Sequence, residues 1–124
     1  MTTHASPVVG FAGMTHLGIV SSASVAAKGF RTICFDVDAN TIARLAHGDM
    51  PVVEPDLDEL VRANGARQEF TADLARLGAC DVVYISTDVP TDDKGASDLT
   101  GIRALLDKVG AVLKADAILV ILFQ

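Results

Sequence analysis

An α/β architecture, a doubly wound parallel sheet with helices on both faces, is what this sequence predicts, and three observations carry the prediction. Short apolar runs of β type alternate with segments of helical period along the chain. Three of the runs are continuously apolar rather than alternating, the pattern of strands covered on both faces. The first run passes through glycines straight into a helix of small residues, as a β-turn-α unit feeding a parallel strand does.

The elements follow in order. Apolar runs lie at residues 7–12, 32–35, 69–70 (a brief one), 81–85 and 117–123. Residues 18–28 are rich in Ser and Ala and end at Gly29, a natural C-cap, and their small side chains let a helix pack close to the sheet. Residues 39–47 put Ile42, Leu45 and Ala46 on one face before Gly48. Pro55 suits the first turn of a helix bearing Leu57, Leu60 and Val61, which stops near Asn64 and Gly65. A short helix after Thr71 carries Leu74 and Leu77. The longest begins near Ser97 and Asp98 and keeps Leu99, Ile102, Leu105, Leu106, Val109, Val112 and Leu113 at core spacing.

Composition bounds the function. A chain of 124 residues supports one domain with one core. A net charge of −6 argues against nucleic acid or an anionic membrane surface as partner. Mean hydropathy is +0.39, yet no apolar run reaches the eighteen or so residues that span a bilayer. The N-terminus lacks a basic segment and its apolar run is broken by His16, which excludes a signal peptide. Cys34 and Cys80 sit in apolar segments outside any CxxC pair, so they read as reduced, buried thiols in a cytoplasmic protein. The chain stops at Gln124 directly after "AILVILFQ", and the expectation is a fragment whose last strand exposes apolar surface for self-association.

The stretch "GFAGMTHLG" carries the chemistry. In a dinucleotide-binding turn the first glycine allows the tight bend, the second lets the backbone approach the pyrophosphate, and the third lets helix and strand pack closely. The helix N-terminus then presents N–H groups and the positive end of its dipole. Gly13 and Gly18 fill the first and third places, with Met14, Thr15, His16 and Leu17 between them, so Thr15 occupies the second. An acid should close the next strand to hold the adenosine ribose hydroxyls. The segment "ICFDVD" puts Asp36 there, near the expected spacing of roughly twenty residues. That acid favours NAD over NADP, whose 2′-phosphate it would repel. The predicted fold is therefore of Rossmann type.

Rival readings fail on named residues. Ile19 and Val20 stand where a Walker A loop needs Lys and Ser or Thr. Asp36, Asp38 and Asn40 imitate the start of an EF-hand, but Thr41 and His47 replace its glycine and bidentate glutamate. His4, His16 and His47 have no partners at metal-ligand spacing, so no metal site is expected.

Taken together, these motifs resemble the N-terminal domain of the UDP-glucose/GDP-mannose dehydrogenase family over residues 8–124. That family has a G-x-G-Y-V-G turn and a second strand ending V-D-x-D. An N-x-G-x-x-P-x-x-E-P-G-L segment, an A-D-V strand leading to G-T-P, and D-G-x-x-D-L opening a long helix then follow. The counterparts here are "HGDMPVVEPDL", "ACDVVYISTDVP" and "DDKGASDL". The resemblance implies a nucleotide-sugar 6-dehydrogenase that oxidises the C6 hydroxyl of a UDP- or GDP-sugar to a uronate with two NAD molecules. It implies that residues 13–18 face the pyrophosphate, Asp36 the ribose, and Thr87, Asp88, Val89 and Pro90 flank the cofactor. The family's catalytic cysteine and lysine lie in later domains, so no catalytic residue is expected here and the 124-residue chain alone is expected to be inactive. The nucleotide sugar is then a partner of the longer protein, and a homo-oligomer stays open.

Departures from the family pattern gather at the cofactor contacts. Thr15 replaces the second glycine, His16 the tyrosine, and Asp88 and Val89 the Gly-Thr of G-T-P, while Asp56 replaces the glycine of E-P-G-L. A threonine adds a Cβ and a hydroxyl where the pyrophosphate approaches, so Thr15→Gly is expected to strengthen NAD binding. Asp88 near an anionic ligand weakens binding. The alternative reading these changes support is a diverged domain with weakened NAD affinity and a ligand- or partner-binding role.

Overall fold

A computed structural model describes residues 6–50, 55–88, 94–95 and 98–122. Five parallel strands, β1 (Val9–Ala12), β2 (Thr32–Phe35), β3 (Gln68–Thr71), β4 (Val82–Ile85) and β5 (Ile118–Ile121), form one sheet in the order β3-β2-β1-β4-β5. The order reverses between β1 and β4. That is the switch point at whose strand carboxyl ends open α/β sheets bind ligands.

Helices cover both faces, as the continuous apolar runs require. One face packs Phe11, Cys34 and Val9 against Ile19, Ala23, Ile42, Leu45, Leu57 and Val61. These come from α1 (His16–Ala27), α2 (Ala39–Ala46) and α3 (Leu57–Ala63). The other face packs Ala12, Ile33, Phe35, Val83 and Ile85 against Leu77, Cys80, Ile102 and Val109. Here the cover is α4 (Thr100–Val112) and a 3-10 segment, Leu74–Ala79. Phe11 is fully buried and stacks on Tyr84 with ring centroids 5.2 Å apart. Burial of a side chain of that size contributes about 1.5–3 kcal/mol.

Both cysteines are free and buried, as read from the sequence. Burial pushes the Cys34 thiol up to about 12 and that of Cys80 up to about 11.

Several boundaries differ from the sequence reading, each for a local reason. The first strand begins at Val9 and the last spans only Ile118–Ile121, because pairing with neighbours is confined to four positions in each strand. The first helix starts at His16, two residues before Gly18, because Thr15 caps it. Pro55 lies outside α3: Asp56 has φ +63°, a left-handed conformation that keeps it out of the helix. The segment after Thr71 is a 3-10 turn capped by Asp73 rather than an α-helix. The long helix begins at Thr100, whose N–H donates to Asp98 Oδ1 at 3.0 Å; Ser97 lies outside the described residues. Its inward face buries Ile102 and Val109 and packs Leu105, Leu106, Val112 and Leu113 half-buried beside them, while Leu99 is exposed.

Candidate functional site

The site forms where β1, β2 and β4 end. Gly13 leaves β1 with φ +114°, a conformation only glycine adopts readily. Its N–H donates to Phe35 O at 2.9 Å, which fixes the turn against the end of β2. A Cβ on Gly13 would lie 2.7 Å from the Thr87 backbone nitrogen, and one on Gly18 would collide with the Gly13 carbonyl oxygen. The first glycine thus admits the chain after β4, and the third admits α1 against the turn. Both perform the tasks their spacing implied.

Thr15 is the N-cap of α1, with extended backbone at φ −76° and ψ 178°. Its Oγ1 accepts from Gly18 N–H at 3.3 Å and donates to the Ser86 carbonyl oxygen at 2.6 Å. The hydroxyl is therefore held by the protein itself rather than presented to a ligand. Leu17 is half-buried and His16 is exposed on the opening turn of the helix, where N–H groups have no intrahelical acceptors.

Asp36 follows β2 and reaches across to this turn. Its Oδ2 accepts from Met14 N–H at 2.8 Å and its Oδ1 from Asp38 N–H at 2.9 Å. Each carboxylate oxygen can accept more than one hydrogen bond, so the group retains capacity for hydroxyl donors. Asp38 in turn caps α2 through bonds from Asn40 and Thr41 N–H.

A cleft of about 540 Å³ opens beside Asp36, lined by Phe35, Val37, Thr87, Asp88, Leu105 and Lys108 among others. Val37 is 82% exposed, an apolar side chain standing open at the mouth. Asp98 also borders the cleft, and the Thr100 N–H holds its carboxyl below the usual carboxylate range. A second cavity of about 550 Å³ lies between α2, α3 and the start of β3, and none of the expected site residues line it.

The structure thus brings together Gly13, Met14, Thr15, Gly18 and Asp36, with Thr87 and Asp88 at the neighbouring cleft. Val89 and Pro90 lie outside the described residues. The sequence reading missed Ser86, which is buried and donates its hydroxyl to Gly13 O at 2.8 Å. A serine directly after a buried strand, facing a glycine turn, was the available signal. It also missed Val37 and Lys108, whose places follow from packing between distant elements. A helix N-terminus, a cleft and a carboxylate beside the glycine turn fit a dinucleotide.

Comparison with known proteins agrees. The chain is 35% identical over 111 residues to UDP-glucose 6-dehydrogenase of Pseudomonas aeruginosa, covering 87% of this chain and 24% of that protein. It is 32% identical to UDP-glucose 6-dehydrogenase TuaD of Bacillus subtilis, with the same two coverages, 87% and 24%. The chain therefore spans about a quarter of the curated relatives it matches. Its fold superposes on the GDP-mannose dehydrogenase of Pseudomonas aeruginosa with a TM-score of 0.85 at 24% identity, over 93% of this chain and 28% of that one. The UDP-glucose dehydrogenase of Pyrobaculum islandicum gives a TM-score of 0.87 at 23% identity, over 96% and 29%. The model of the UDP-glucose/GDP-mannose dehydrogenase family, NAD binding domain, matches residues 8–122. This chain belongs to the UDP-glucose/GDP-mannose dehydrogenase family, as its NAD-binding domain.

Proposed function

We propose that this domain binds NAD within a nucleotide-sugar 6-dehydrogenase that oxidises the C6 hydroxyl of a UDP- or GDP-sugar to a uronate. The observation that carries the proposal is the direct bond between Asp36 and Met14 N–H. It sets the Asp36 carboxylate beside the glycine turn, which supports one dinucleotide reaching both. NAD, when bound, accepts a hydride in each of the two oxidations.

The chain's own residues bind and orient. The turn from Gly13 to Gly18, with Met14, Thr15, His16 and Leu17, brackets the pyrophosphate at the positive end of α1. Asp36 accepts from the adenosine ribose hydroxyls and disfavours a 2′-phosphate. Thr87 and Asp88 flank the cofactor. Neither cysteine suits a nucleophile, since burial keeps both thiols protonated. On this reading the 124-residue chain alone is inactive. Free, buried thiols favour a reducing, cytoplasmic setting. Among the described residues no helix is long and apolar enough to cross a membrane.

The diverged, non-oxidoreductase reading rests on Thr15, Asp88, Val89 and Gln124. The relatives reported above are all named as dehydrogenases, and Thr15 is built into the fold as a cap. The test is stoichiometry: protein containing this domain, given UDP- or GDP-sugars, should release two NADH per uronate formed. Failure to reduce NAD with any of these sugars contradicts the proposal.

A further inference from the structure

We propose that Thr15 is a positioning residue for the dinucleotide, coupling the pyrophosphate turn to the chain after β4; the inference rests on the NAD-binding reading above. Its Oγ1 accepts from Gly18 N–H in the first turn of α1 and donates to the carbonyl of Ser86, 71 residues away in sequence. Ser86 closes the loop in the other direction. Its N–H donates to Ala12 O at 2.9 Å and its hydroxyl to Gly13 O at 2.8 Å, and it is 1% exposed.

The end of β1, the opening of α1 and the end of β4 thus form one ring of hydrogen bonds, with the threonine hydroxyl as the link to α1. Thr87 and Asp88, which line the cleft, follow Ser86 directly. Their placement relative to the α1 N-terminus is set through that hydroxyl. A dinucleotide has to touch the turn and the cleft at once, and a pre-set spacing between them spares ordering on binding. A glycine at position 15 supplies no donor for the Ser86 carbonyl. On this account Thr15→Gly does not strengthen NAD binding, the reverse of the expectation drawn from the sequence.

The experiment titrates NAD calorimetrically into the chain and into T15S, T15V and T15G, well below the melting temperature of each, so that every form is folded. Amide exchange at Ser86 and Thr87 is followed in the ligand-free proteins. T15S keeps the hydroxyl and should bind within about twofold of the unsubstituted chain. T15V keeps the shape without the donor and should bind about five- to tenfold more weakly, the effect of one neutral hydrogen bond. T15G should also bind more weakly, and exchange should quicken in T15V and T15G but not in T15S. A T15V variant with a lower melting temperature but unchanged affinity or exchange makes Thr15 a structural cap only, and overturns the proposal. Tighter binding by T15G overturns it too. Absence of binding to the unsubstituted chain overturns the proposed function itself, and the positioning role falls with it.

Discussion

The Asp36 carboxylate and the Met14 amide meet at 2.8 Å across the ends of β2 and β1. The same carboxylate closes the turn into α2 through Asp38 N–H. One side chain therefore fixes both the glycine turn and the segment beside the cleft.

Replacing Asp36 by Asn keeps the shape and removes the charge. Losing a charged hydrogen bond costs about 1.5–3 kcal/mol, so NAD affinity should fall roughly ten- to a hundredfold. Discrimination against NADP should narrow as well. Parallel titrations of the variant with both cofactors check this, and an unchanged preference for NAD would remove Asp36 from the site.

Gly18→Ala should destabilise the fold. Its Cβ would meet the Gly13 carbonyl oxygen, a backbone atom that cannot swing away, and the Ser86 hydroxyl at 2.9 Å. Overpacking of this kind costs about 1–3 kcal/mol. Urea denaturation reads the loss as a lower midpoint, and a midpoint equal to that of the unsubstituted chain would show that α1 does not rest on the turn as described.

Asp81 makes acid stability testable. Lys114 Nζ lies 2.6 Å from its Oδ1 and Val8 N–H donates to its Oδ2 at 2.7 Å, tying together the starts of β1 and β4 and the chain before β5. The Lys114 ammonium, then the Val8 amide, hold its carboxyl below the usual range. A carboxylate with a depressed native pKa contributes stability above its unfolded value, about 3.9, and that stability is lost as pH falls through the lower native value. Asp81→Asn should therefore flatten the stability profile at the acid end and lower stability at neutral pH. A profile unchanged from pH 7 down to pH 2 would contradict the pairing.

The two thiols give a prediction of opposite sign. With Cys34 raised to about 12 and Cys80 to about 11, both stay protonated in the folded chain while the unfolded chain ionises near pH 8.5. Stability should fall as pH rises above that value. A thiol-reactive disulfide at pH 8 should label neither residue in native protein and both after denaturation. Rapid labelling of the folded chain would show that the thiols are not buried as described.

Much of the fold was legible because its cause is local. Residues 32–35 read as a strand from apolar continuity, and β2 is buried throughout. Gly13 and Gly18 were legible by spacing, since backbone closeness admits no other residue. Thr15 was legible as a departure but not as a link, because its partner Ser86 is brought to it only by the pairing of β1 with β4. The start of α3 was hidden by the left-handed backbone of Asp56, which composition does not announce. At β5 the apolar run was read as leaving apolar surface open, and Ile118 is 59% exposed on that edge strand.

The central claim, that this turn and this acid form an NAD site, is tested most directly by titrating the unsubstituted chain with NAD and with NADP. The account predicts saturable binding of NAD below millimolar concentration, with NADP at least about tenfold weaker because Asp36 opposes its 2′-phosphate. No detectable heat at millimolar NAD, or equal binding of the two cofactors, would contradict it.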